Sequence, residues 1–242
     1  MDITQEQIEY RQSEPSKLGR GIERLTHPVG KAIAKVAPKG VVKGAFKQID
    51  AATTRPFIDF THDTDDLDAA RKAAQKVENT ARGINASTGA AAGLGGVWTM
   101  GADIPATIAI AMRNIRDTGR AYGFEGDGEE EKAFRLRVLE LAATDGGDPR
   151  QALIAELEAE ITDTGDLRAS NNDDITPLVD QIIERVSRAM ALTSVRKRFG
   201  MVVPLLGSAI GGYVNASFQR DVSQAARFAF QERKLRAQAG RA

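Results

Sequence analysis

The chain of 242 residues contains no cysteine. That absence excludes a disulfide framework, a thiolate nucleophile and any metal site built on sulfur. Histidine is nearly absent as well. His27 and His62 lie far apart, without the HExxH spacing that sets two imidazoles on one helix face, so no zinc centre or other metal is expected. Aromatic residues make up 5% of the chain. They are sparse in its basic ends, which leaves few platforms for base stacking, and no nucleic-acid partner is expected. Alternating runs of β-branched residues are missing too, which argues against a sheet. The opening residues, MDITQEQIEYRQSEPSK, are polar and have no apolar h-region, so a cytoplasmic protein is expected. No sequence repeat of fixed period is present.

What is present is ordinary for a globular protein: 42% hydrophobic and 27% charged residues, at a length that supports one sizeable core. The formal net charge is zero, but its distribution is uneven. Residues 1–50 carry nine Lys+Arg against six Asp+Glu, and residues 195–242 carry nine against two. Residues 51–194 reverse the balance, with 15 basic and 25 acidic side chains. Basic ends around an acidic middle describe an oriented molecule, with one cationic face attracted to an anionic surface.

Alanine, leucine, glutamate, lysine and arginine dominate, which predicts an all-α protein. Residues 1–16 read as a polar tail and 17–238 as one helical domain. In residues 17–50, Pro28 and Pro38 break the chain into short helical pieces. Lys31, Lys35, Lys39, Lys43 and Lys47 recur there every four residues, a spacing that stacks side chains on one face wherever the helix holds. An N-cap at Thr64 or Asp63, followed by acids in the first turn, predicts a helix from about Asp65 to near Gly83. Asp103 as a cap and Pro105 in the first turn predict another, from Ile104 to about Thr118, stopped near GRAYGF by Gly119 or Gly123. GDGEEEKAFRLRVLELAAT and GGDPRQALIAELEAEI each open with acids and continue at helical spacing. DTGDLRASNND reads as a surface loop, Ile175 to about Phe199 as a long helix, and the last 24 residues as a basic tail helix.

Two uncharged, glycine-bearing segments stand out, residues 83–102 and 199–218. Each is about the length that crosses a bilayer core. Each holds a small-xxx-small pair, Gly89 with Gly93 and Gly207 with Gly211, which lets another helix approach closely. Asn85, Ser87, Thr88 and Thr99 dilute the first segment; Ser208, Asn215 and Ser217 dilute the second. Three readings stay open: a tightly crossed core, a shallow membrane dock, or a spanning pair. Asp103 is the single charge beside the first segment. It reads as a helix cap, with a catalytic acid as the sharper alternative. GAAAGLGG lacks the Lys-Ser/Thr of a phosphate-binding loop. HDTDDLD lacks the glycine and terminal glutamate of a calcium loop and reads as a solvated helix start.

Residues 101–141, GADIPATIAIAMRNIRDTGRAYGFEGDGEEEKAFRLRVLEL, resemble the central signature of the EcsC family. Residues 203–235, VPLLGSAIGGYVNASFQRDVSQAARFAFQERKL, resemble its C-terminal signature. The resemblance covers most of residues 20–237 and rests on Asp103, Pro105, Tyr122, Gly123, Gly207, Gly211, Gly212 and Asn215. It implies a bacterial helical protein without a cofactor. The family is named for a protein encoded beside the subunits of an ABC transporter, which implies a membrane partner. It assigns none of these positions a catalytic role. There is no GxSxG elbow or histidine dyad to support the hydrolase label that some relatives carry. The expected function is therefore non-catalytic: peripheral binding to anionic lipid or a membrane protein at the inner face of the cell membrane, with Lys31, Lys35, Lys39, Lys43 and Lys47 supplying the attraction. The alternatives are a hydrolase acting on a lipid or small molecule with Asp103 as its acid, and a soluble scaffold.

Overall fold

The computed structural model describes residues 3–13, 56, 58–94, 100–144, 147–168 and 204–241, with the backbone alone over 85–94, 100–107 and 204–217. The lysines of 17–50 and the expected helix over 175–199 lie outside the described residues. Six helices are described: α1 Ile3–Gln12, α2 Leu67–Leu94, α3 Met100–Ala121, α4 Glu129–Ala143, α5 Asp148–Glu160 and α6 Pro204–Ala239. Among the described residues there is no strand, only one isolated bridge between Ile161 and Leu167. The all-α reading is right.

Helix α6 is the spine. It packs against each of the other five described helices. Its contact face recurs every three or four residues, with Val222, Ala225, Ala226, Ala229 and Phe230 all buried. Helix α2 meets it with a small-residue face, Ala70, Ala73, Ala74, Val77 and Ala81, so the two axes come close. Ile108 and Ile115 from α3, Tyr122 just past its end, and Phe134 and Leu141 from α4 complete one continuous core. Burying side chains of this size stabilises by roughly 1.5–3 kcal/mol each.

Several boundaries differ from expectation. Helix α2 does not stop at Gly83 but continues to Leu94. A glycine in mid-helix costs only about 1 kcal/mol, which packing along α6 overrides. Asp66 is its cap: Oδ1 accepts the backbone N–H groups of Asp68 and Ala69 at 2.9 and 3.1 Å. Helix α3 begins at Met100, so Asp103 is its fourth residue, inside the helix, and Pro105 its sixth. Residues 204–218 of the second glycine-bearing segment run on into the basic tail as one helix of 36 residues. Residues 3–12, set apart as polar tail, form α1 and lie against α6. The chain pattern there shows little amphipathy because α1 docks through polar side chains. Gln7 is buried and donates to the Phe228 carbonyl at 3.1 Å and to Gln231 Oε1 at 2.8 Å.

Side-chain pairings fix the directions. Asn114 of α3 meets Gln219 and Ser223 of α6, and Tyr122 meets Gln231, so α3 and α6 run the same way. Glu78 of α2 meets Arg227, and Asp65 meets Lys234, so α2 runs against them. The C-terminal end of α2 and the N-terminal ends of α3 and α6 therefore lie at one end of the bundle. The helix ends that carry the two glycine-bearing segments, far apart in sequence, come together there.

Candidate functional site

Many of the described polar groups of the interior are strung along α6 at three levels. Nearest the uncharged end, Asn114, Thr118, Gln219 and Ser223 are fully buried. Asn114 Nδ2 donates to Ser223 Oγ at 2.8 Å and to Gln219 Oε1 at 3.3 Å. Ser223 Oγ donates to the Gln219 carbonyl at 2.8 Å. Its partners are amides and a carbonyl, none of them a base that would activate a nucleophilic serine. This layer ties α3 to α6.

The second level is ionic. Arg227 Nη1 bonds Glu78, and Arg227 Nε donates to Glu6 Oε1 at 3.1 Å. Gln231 Nε2 donates to Glu6 Oε2 at 3.1 Å and to the Tyr122 hydroxyl at 3.0 Å. Burial opposes the charge on Arg227, but Glu78 and then Glu6 outweigh it and hold the guanidinium above its ordinary pKa. Burial pushes the Tyr122 phenol well above the usual tyrosine range, only partly offset by its bond from Gln231. Four helices, α1, α2, α3 and α6, meet here. Removing one member would strand a buried charge.

The third level closes the far end. Arg233 grips Glu131 through two bonds of 2.8 and 3.0 Å, donates to the Gly165 carbonyl at 3.0 Å, and lies 4.0 Å over the Phe124 ring. Lys234 pairs with Asp65 at 2.7 Å, and Arg241 adds a contact at 3.2 Å. Lys234, then Arg241, hold the Asp65 carboxyl below the usual range. Gly165 has φ +77, and a Cβ there would meet the Arg233 carbonyl oxygen at 2.3 Å. The loop read as a surface feature is thus pinned at its glycine against α6.

The GRAYGF stretch is a helix terminator. Phe124 N–H donates to the Gly119 carbonyl and Gly123 N–H to that of Arg120, both at 2.9 Å, the paired bonds of a Schellman cap. Gly123 has φ +86, as that cap requires, and Phe230 packs so close to Gly119 that a Cβ there would meet its ring at 2.8 Å. His62 Nε2 donates to the Ala121 carbonyl at 2.8 Å. Among the described residues no group of three or more histidines and acids is placed to hold a metal ion.

The residues that carried the resemblance divide between the two ends. Tyr122 and Gly123 stand at the ionic end, about 28 Å along α3 from Asp103. Asp103 and Pro105 begin α3 while Gly207, Gly211, Gly212 and Asn215 lie in the first third of α6, at the uncharged end. Reading the sequence did not single out Glu6, Gln7, Glu78, Asn114, Ser223, Arg227, Gln231 or Arg233. The signal was there: Gln219, Ser223, Arg227, Gln231 and Lys234 are polar side chains at the core-facing repeat of α6.

From Arg227 onward the cations of α6 are turned to partners within the fold. Arg227, Arg233, Lys234, Arg236 and Arg241 each meet a carboxylate of the same fold. No helix among the described residues is long and apolar enough to cross a membrane.

Comparison with known proteins places these features in a family. The chain is 26% identical over 156 residues to YdbA, an uncharacterized protein of Bacillus subtilis (strain 168), covering 62% of this chain and 53% of that protein. It therefore spans about half the length of YdbA. It is 24% identical over 245 residues to Protein EcsC of the same organism, covering 98% of this chain and 97% of that protein. No solved structure matches it. The EcsC protein family model matches residues 3–235, from the first turn of α1 to the last turns of α6, and the chain belongs to the EcsC protein family.

Proposed function

We propose that the chain is a non-catalytic helical protein that binds peripherally to an anionic membrane surface, at the inner face of the cell membrane. The observation that carries this reading is the imbalance between segment and body. The tail cations from Arg227 onward each meet a carboxylate of the body, and the outer surface of the body is rich in acids such as Asp63, Asp66, Glu125, Glu129 and Asp163. Residues 17–50 carry eight Lys+Arg against two Asp+Glu. Attraction to anionic headgroups is worth about 1 kcal/mol per cation near the surface, so this segment supplies most of the attraction.

The test is sedimentation with vesicles of neutral phosphatidylcholine alone and mixed with anionic phosphatidylglycerol. Binding to the mixed vesicles that falls with salt, and is lost when Lys31, Lys35, Lys39, Lys43 and Lys47 become glutamate, is the expected result. Equal binding by that variant would contradict the lysine assignment. Failure to bind either vesicle would turn the search to a membrane-protein receptor such as an ABC transporter subunit.

A further inference from the structure

The direction of the helices says how such a protein would sit on a membrane. From its end at Leu94, α2 runs back twelve residues before its first charge, Arg82. From its start at Met100, α3 runs thirteen residues to Arg113, interrupted only by Asp103. From Pro204, α6 runs sixteen residues to Arg220. At 1.5 Å per residue these uncharged stretches are about 18–24 Å long. All three lie at the same end of the bundle.

The first cation on each helix is an arginine, and the three stand at one height. Glu78 pairs with Arg227 and Asn114 bonds Gln219 and Ser223. Those pairings set Arg82, Arg113 and Arg220 within about one helical turn of each other along the axis. Arg82 and Arg220 are exposed and Arg113 is half-buried. Beyond them the body becomes ionic and ends in the exposed acids Asp66, Asp127, Glu129 and Asp163.

We infer that the three converging helix ends enter the apolar layer of an anionic bilayer end-on, with Arg82, Arg113 and Arg220 forming a collar at lipid phosphates and the acidic end held away in water. This rests on the membrane reading above. The uncharged zone is shorter than the roughly 30 Å hydrocarbon core, so entry is from one side. Arginine suits the boundary, because its stem lies along apolar surface while the guanidinium pairs with phosphate. Asp103 is the one charge inside the zone, and a carboxylate drawn toward lipid opposes entry.

Trp98 is the chain's single tryptophan and lies among the five residues joining Leu94 to Met100. Its fluorescence therefore reports on that end in the unmodified protein. With phosphatidylglycerol vesicles carrying brominated acyl chains, Trp98 emission should shift to the blue and be quenched at least twofold. A dye on a cysteine placed at Asp127 should stay unquenched. Arg82, which also reaches Glu78 at 3.6 Å, is changed to a neutral residue. Arg82→Gln with Arg220→Glu should weaken binding tenfold or more with an unchanged circular dichroism spectrum, whereas Asp103→Asn should tighten it by at least tenfold. Vesicle binding with Trp98 unshifted, or with the Asp127 label quenched instead, would overturn the orientation and leave the lysine-driven binding standing. Absence of binding to any vesicle would overturn both.

Discussion

The two ends of this bundle are held together by different means. At the ionic end, cations and carboxylates from distant parts of the chain meet one another: Arg233 with Glu131, Lys234 and Arg241 with Asp65, Arg236 with Glu232. Its glycines sit in turns, Gly123 and Gly165, with positive φ and a neighbour where a Cβ would go. At the other end the described glycines lie within helices, and from Gly83 to Met112 the sequence holds one charge. The ionic end meets its needs within the fold. Among the described residues the uncharged end has its charges, Asp103 apart, set back to a row of arginines, which is why we place the outside partner there.

The largest effect expected from breaking this contrast is at the ionic level between the two ends. Arg227→Met leaves Glu78 and Glu6 without their shared guanidinium in the interior, and should cost about 3–5 kcal/mol of stability in urea unfolding followed by circular dichroism. An unchanged midpoint would mean that the level is ornamental. Next come two glycines with opposite expected signs. Gly165→Ala forces an alanine into φ +77 and against the Arg233 carbonyl, and should destabilise by about 2–3 kcal/mol. Gly83→Ala adds a Cβ that meets nothing within 4 Å and should stabilise by up to about 1 kcal/mol through helix propensity. Equal effects would erase the distinction between turn and helix glycines.

The titrations are subtler. Tyr122 and Tyr10 are both raised by burial. A phenol whose folded pKa exceeds its unfolded value of about 10 contributes stability that is complete below that pH and lost as pH rises through the folded value. Phenolate absorbance from these two should thus appear together with loss of helical signal above pH 10, not before it. Asp65 works in the other direction. Its depressed carboxyl contributes stability present above the ordinary value of about 3.9, lost as pH falls through the folded value. Asp65→Asn should flatten the acid limb of the melting-temperature profile below pH 4. Because Asp65 is exposed, this is the smallest effect of the set.

Much of the fold was legible. Acids in the first turn and Pro149 near the start located α4 and α5, and Gly123 marked the end of α3. Which glycine ends a helix was only partly legible, because what separates Gly83 from Gly123 is their surroundings and not the sequence. One faces open space in a helix packed on α6, while the other is a cap against Thr64. The α1 dock was hidden because Gln7 and Glu6 look like solvated residues until Gln231 and Arg227 are brought to them from more than 200 positions away. The uncharged segments were visible as segments. Their meeting at one end depended on helix direction, which pairings such as Glu78 with Arg227 decide and composition does not.

Hydrogen exchange with and without anionic vesicles compares the two ends in a single experiment. Within the helical bundle the account predicts slower exchange at residues 83–103 and 204–218, with residues 122–131 and 161–168 unchanged. Protection at the ionic end with none at the uncharged end would contradict it.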